Sequence, residues 1–290
     1  MRIKIQEFNL ISILFGLGAA LGWGAGDFTG GLASRKTGAY RTVFYGEVFG
    51  ILVLFLVIMF FGESIPDRGT WMFSMLAGAL GTMGLILLYH SMTLGLMSIA
   101  APVSALLAAV LPVVVGIFRE GLPEWMTFIG FGFALFAVWM ISQGEGGITD
   151  VLSHLSDLKL PLLAGIGFGS YFVFMHEATN TGATIWPMVA SRCGGLILIT
   201  AYMLIARSSW KVEDSSAWPI IVLNGVLDIS GNVFFILASQ SGRLDVAAVL
   251  SSLFPGATVI LAWIFLKERL IRNQWIGIGS ALIAIVLMTI

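Results

Sequence analysis

The sequence predicts an all-α, polytopic membrane protein with ten transmembrane helices arranged as two inverted five-helix repeats. Three observations carry that expectation. Of the 290 residues, 58% are hydrophobic and only 11% are charged, against roughly 25% charged in an ordinary soluble domain. The charges gather in short clusters, and the apolar stretches between them are long enough to cross a hydrocarbon core of about 30 Å. The chain also resembles itself when folded near residue 150.

The spans read in order as follows. Leu10–Ala33 follows Arg2 and Lys4 and ends at Ser34-Arg35-Lys36-Thr37-Gly38. Its apolar run is too long for a signal-peptide core and is expected to be retained. Tyr40–Phe61 stops at a polar turn, Glu63-Ser64-Ile65-Pro66-Asp67-Arg68-Gly69, and Trp71–Leu94 follows. Ser98–Phe118 is closed by Arg119-Glu120-Gly121, and Glu124–Ser142 is the fifth span. The longest polar stretch, Gln143–Lys159, separates the halves. Leu160–Thr179, Thr184–Ala206, Ala217–Gln240, Asp245–Leu266 and Asn273–Ile290 complete the ten, with Lys267-Glu268-Arg269 closing the ninth.

Composition also excludes function classes. A nucleic-acid binder needs a basic patch, and the formal net charge here is −1. The single cysteine, Cys193, has no partner within the chain for a disulfide. A porin-type barrel would alternate apolar and polar residues with period 2, and these runs do not.

A constant shift of 147 lays Gly78–Phe118 onto Gly225–Phe265 with ten identities in 41 positions, among them Gly78/Gly225, Gly84/Gly231 and Ser104/Ser251. Gly22-Trp23-Gly24 matches Gly167-Phe168-Gly169 at a nearby shift. Five spans per half is an odd number, so the second half enters the membrane from the opposite side. Inverted repeats of this kind are common among secondary transporters. The expected units are residues 1–146 and 155–290.

Three stretches carry a family resemblance: Ala20-Leu21-Gly22-Trp23-Gly24; Ala101-Pro102-Val103-Ser104-Ala105-Leu106 with Glu120-Gly121-Leu122-Pro123; and Leu250-Ser251-Ser252-Leu253-Phe254-Pro255 with Lys267-Glu268-Arg269-Leu270. With the repeat, they resemble the drug/metabolite transporter superfamily in its EamA-type, ten-helix branch. The resemblance implies a carrier that exports small metabolites or drugs, and it names no substrate. One departure is visible. Pro255 precedes Glu268 by 13 residues, whereas Pro112 precedes Glu120 by only 8, so Pro112 is not its counterpart.

Ionisable groups at membrane depth are costly and normally face a cavity or a partner. The candidates for substrate binding are therefore Asp27, Glu47, His90, Arg192 and Asp228, joined by Trp23, Asn224 and Asn232. Asn224, Asp228 and Asn232 recur at i, i+4 and i+8, one stripe of the eighth span. Their repeat partners are Ala77, Gly81 and Leu85, so the first half has no such stripe, and that asymmetry favours a substrate-facing role. Arg192 could clamp a substrate carboxylate through its planar fork or pair with Asp228 or Glu47. Glu47 and Arg192 hold nearly equivalent places in the two halves. Trp23, one turn before Asp27, could line the same cavity or pack between helices. Trp71, Trp125, Trp218 and Trp275 sit near span ends and read as interfacial anchors. Glycines recur every four residues in the first span at Gly18, Gly22, Gly26 and Gly30, where close helix contact is expected. His176-Glu177 begins an H-E-x-x-H motif, but position 180 is Asn180. No metal, cofactor or catalytic group is expected.

The expected function is a secondary transporter, exporting small polar metabolites, amino-acid-like compounds or drugs by alternating access. An excess of membrane-depth acids over bases points to protons as the coupling ion. The alternatives are a facilitative uptake permease or exchanger for a small solute, an integral-membrane enzyme, or a channel. The expected partners are a small-molecule substrate, the lipid bilayer and protons, with no nucleic acid, in a monomer or homodimer. The expected location is a bacterial inner membrane. Orientation stays open: basic residues number five on the side of the termini and nine on the other, which places the termini outside, while the resemblance implies termini inside.

Overall fold

The computed structural model describes residues 2–61, 63–93, 97–142, 159–180, 182–267 and 269–289, with side chains over 10–60, 63–88, 103–141, 159–180, 182–267 and 269–289. The elements are helices: α1 (Arg2–Thr37), α2 (Ala39–Phe61), α3 (Arg68–Thr93), α4 (Met97–Glu120), α5 (Trp125–Ser142), α6 (Lys159–Thr179), α7 (Ile185–Ile205), α8 (Trp218–Ser241), α9 (Leu244–Ser251), α10 (Phe254–Leu266) and α11 (Arg272–Thr289), with a 3-10 turn at Ser215–Ala217. Helices stand at all ten expected places. Among the described residues, seven segments are long and apolar enough to cross a membrane; α5 is apolar but shorter, and α6 and α11 fall outside that set.

The ninth span differs from the sequence expectation. Read as one helix from Asp245 to Leu266, it is two, broken at Ser252-Leu253. Pro255 has no N–H to donate to the carbonyl of Ser251, and its ring crowds that carbonyl, so the helix must restart. The backbone tightens there into i→i+3 bonds, Leu253 N donating to Leu250 O at 3.2 Å and Gly256 N to Leu253 O at 2.9 Å.

Helix pairing obeys a two-fold exchange. α1 packs along α8, and its repeat-equivalent α6 packs along α3; α4 lies on α6 as α9 and α10 lie on α1; α3 meets α7 as α8 meets α2. The α2/α7 and α5/α11 pairs are their own counterparts. Contacts inside these self-paired helices fix the direction. A Cβ at Gly195 would lie 3.3 Å from Glu47 Oε1, and one at Gly50 would lie 3.7 Å from Arg192 Cδ. Rising numbers on α2 therefore meet falling numbers on α7. In the other pair, Ser280 Oγ donates to Phe133 O at 2.9 Å, and Gln274 Nε2 donates to Ile141 O at 3.3 Å. Equivalent helices thus run antiparallel, and the two halves are inverted.

Glycine makes the closest crossings, because in lipid the helices gain from backbone approach rather than from water exclusion. A Cβ at Gly22 would stand 2.6 Å from the Gly231 nitrogen, and a Cβ at Gly167 would stand 3.0 Å from Gly84 Cα. These two crossings are the same contact seen in each half. The connections are also fastened. Glu63 accepts from the N–H groups of Thr184, Ile185 and Trp186 at 2.6, 2.8 and 2.9 Å, satisfying the open start of α7. At the opposite end Arg41 donates to Ser209 O at 2.6 Å and Tyr45 to Trp210 O at 2.8 Å, holding the loop after α7 onto α2.

Candidate functional site

A cavity of about 190 Å³ lies between the halves, lined from α1, α2, α3, α4, α6, α7, α8 and α10. Of the residues expected to bind substrate, Trp23, Asp27, Glu47, Arg192, Asp228 and Asn232 all line it. α5 and α11 contribute nothing to the lining; they pack on one another through Phe131, Ala134, Ala284 and Met288.

Arg192 is the centre of the polar wall. Its Nη1 stands 3.0 Å from Glu47 Oε2, and its Nη2 donates to Asp228 Oδ2. The Glu47 and Arg192 side chains are each 12% exposed, and that of Asp228 is 38% exposed. So the two acids hold the guanidinium from α2 and α8 while Asp228 keeps an open side. Asn232 Nδ2 donates to the Asp228 backbone carbonyl at 2.7 Å and to Oδ2 at 3.3 Å. The Tyr171 hydroxyl donates to Asn232 Oδ1. A chain of contacts therefore runs from Tyr171 on α6 through Asn232, Asp228 and Arg192 to Glu47.

Asp27 is different. It lines the cavity, and no hydrogen bond or ion pair reaches it among the described residues. One turn earlier Trp23 stacks on Phe172, with centroids 5.4 Å apart, and tilts against Phe235 at 5.8 Å. Trp23 thus both packs between helices and faces the cavity.

Two of the expected residues stand away from the cavity or outside the described residues. Asn224 shares the stripe of Asp228 and Asn232 but does not line the cavity. Its Nδ2 donates to the Gly26 carbonyl at 2.7 Å, and its side chain packs where Gly30 and Gly46 leave room. The stripe drifts round α8 over two turns, and its first member ends up fastening α8 to α1 and α2. The His90 side chain lies outside the described residues. His176 and Glu177 sit at the end of α6, where Glu177 pairs with Arg119. Among the described residues no group of three metal-ligating side chains occurs.

Tyr171 was missed. As a lone tyrosine in an apolar run it reads as a packing aromatic. The repeat held the signal: the shift that aligns Gly22-Trp23-Gly24 with Gly167-Phe168-Gly169 places Tyr171 on Gly26, while Asp228 falls on Gly81. Gly26 approaches Asp228, and Gly81 approaches the Tyr171 ring. The same helix crossing is filled from opposite sides in the two halves, and both large polar groups end at one cavity.

The model of the EamA-like transporter family matches the chain twice, over residues 10–143 and 157–290. The chain belongs to the EamA-like transporter family, a multi-pass membrane protein of a class that transports. One relative is an uncharacterized protein of Methanocaldococcus jannaschii, 30% identical over 131 residues, which are 45% of this chain and 94% of that one. That relative is about as long as a single repeat. A protein of Lactobacillus johnsonii, provisionally named for ribose uptake (RbsU), is 25% identical over 213 residues, 70% of each chain. A solved crystal structure of another protein matches with a TM-score of 0.77 at 18% identity, covering 95% of both chains.

Proposed function

We propose that the protein is an alternating-access carrier for a small polar organic solute, and that the solute binds in the central cavity on Asp27, Asp228, Asn232 and Tyr171. The observation that carries this reading is the polar wall lining a cavity between two inverted halves. Polar groups at this depth need a cavity or a partner, and here they meet at one place on the pseudo-two-fold. A carrier with that symmetry exposes one site to each side by rocking its halves. The repeat units at 1–146 and 155–290 are proposed as the rocking bodies.

Coupling to protons rests on the same wall. Asp27 on α1, Glu47 on α2 and Asp228 on α8 line the same cavity as one cation, Arg192 on α7, and Tyr171 on α6. Loss or gain of a proton by this set changes the charge the cavity must hold as it turns over. Export was the expectation from sequence, whereas the relative with a functional name is named for uptake. Flux in proteoliposomes, followed in both directions under an imposed pH gradient, tests the reading. Saturable, pH-gradient-dependent flux that falls at least tenfold in Asp228→Asn supports it. Flux that is linear in solute concentration and indifferent to Asp228→Asn overturns it.

A further inference from the structure

We propose that the cavity selects a small amphipathic organic cation, an ammonium head with a short apolar tail, with Asp27 as the residue that meets the head group. This rests on the reading of the cavity as the substrate site and adds the chemistry of what enters it. Charge is the first ground. Glu47, Asp228 and Asp27 are three carboxylates against one guanidinium. Arg192 is already engaged by Glu47 and Asp228, so Asp27 is left lining the cavity without a hydrogen-bond or ion-pair partner among the described residues. A carboxylate substrate would have to displace one of the acids from Arg192 and would add to the negative excess. A neutral solute would bring Asp27 no counter-charge. An ammonium group at Asp27 supplies the missing partner.

Shape is the second ground, and it comes from the repeat. α8 presents Asp228 and Asn232 to the cavity, while its equivalent α3 presents Gly81, Leu85 and Leu88 with a single hydroxyl, Thr82. Phe168 and Phe254 continue the apolar side. A sugar-like solute carries hydroxyls around its whole edge and would leave some of them against Leu85, Leu88 and Phe254 without partners, at a cost for each. A solute with one charged end and one apolar end matches a cavity with one charged wall and one largely apolar wall.

The test is calorimetric titration of the full-length protein in detergent with four probes: 2-phenylethylamine, 2-phenylethanol, 3-phenylpropanoate and ribose. The amine is expected to bind saturably and at least tenfold more tightly than the alcohol, with no binding of the carboxylate. Asp27→Asn should erase the preference of amine over alcohol, and Asp27→Glu, which keeps the charge, should retain it. The wild-type ranking decides the charge preference even if a variant does not fold. Equal or tighter binding of the alcohol or carboxylate, absence of amine binding, or an amine preference unchanged in a folded Asp27→Asn overturns the proposal. Ribose binding without amine binding overturns it while leaving the carrier reading in place. Absence of saturable counterflow for every solute tried removes the carrier reading itself.

Discussion

Arg192 shows how a buried charge is held at the scale of one residue. Its two anchors come from α2 and α8, so it ties three helices, α2, α7 and α8, at the cavity. Removing one partner of a buried pair leaves an uncompensated charge, at about 3–5 kcal/mol. Arg192→Leu strands Glu47 and Asp228 together and is expected to lower the unfolding temperature in detergent steeply. Arg192→Lys keeps the charge but loses the fork that reaches both acids at once, so it should fold yet slow transport. A lysine variant with wild-type flux would reduce Arg192 to a counter-charge. These acids and the arginine were legible from sequence because a charge inside an apolar run is conspicuous. Tyr171 was not, because a hydroxyl on an aromatic ring carries no such contrast, and Asn224 lies off the cavity, against α1 and α2, because periodicity assigns a stripe without saying where a neighbouring helix covers it.

At the scale of the element, small residues decide where helices meet. Gly22 and Gly31 lie on the same helix and make opposite predictions. A methyl at Gly22 would press on the Gly231 backbone, whereas nothing lies within 4 Å of one at Gly31. Gly22→Ala should therefore destabilise the protein by about 1–3 kcal/mol as an overpacked contact. Gly31→Ala should be neutral or stabilising, since alanine is the better helix former by about 1 kcal/mol. Thermal unfolding of the two variants in one detergent checks the pair, and equal shifts would contradict the crossing described here. The start of α3 gives a second test. The Thr70 hydroxyl and the Gly69 N–H donate to Asp67 at 2.6 and 2.8 Å and hold its carboxyl below the usual carboxylate range. A depressed pKa means the cap stabilises above the unfolded value near 4 and is lost as pH falls through the folded value. Thr70→Val should raise the Asp67 pKa, measurable by acid titration of stability. Helix existence was readable from sequence almost throughout, since spans are long and bounded by charge. The break at Ser252-Leu253 was not, because Pro112 sits within α4 without dividing it, so a proline alone does not announce a break.

At the scale of the molecule, the sequence repeat and the three-dimensional exchange of helices are one fact. Ser280 and Phe133 are 147 positions apart, the shift that aligns the halves, and they touch. Glu47 and Arg192 are nearly equivalent and also touch. The pseudo-two-fold therefore passes through both contacts and across the cavity between them. What breaks the symmetry is chemistry: Asp228 and Asn232 opposite Gly81 and Leu85, Tyr171 opposite Gly26. The scaffold was legible because duplication leaves glycines at a fixed spacing. The site was only half legible, because it lies where the copies have diverged. Coupling belongs at this scale too. An imposed pH gradient should change the flux, and Glu47→Gln or Asp27→Asn should weaken that response; flux unaffected by the gradient in the wild type would make the protein a facilitator or exchanger.

The central claim, one cavity presented alternately to the two sides, is tested most directly by counterflow. Proteoliposomes are loaded with an excess of the tightest-binding unlabelled probe and diluted into a trace of the same probe carrying a label. A carrier accumulates the label transiently above its equilibrium level, and Asp228→Asn should abolish that overshoot. Label that only rises monotonically to equilibrium, in wild type and variant alike, would contradict alternating access at this cavity.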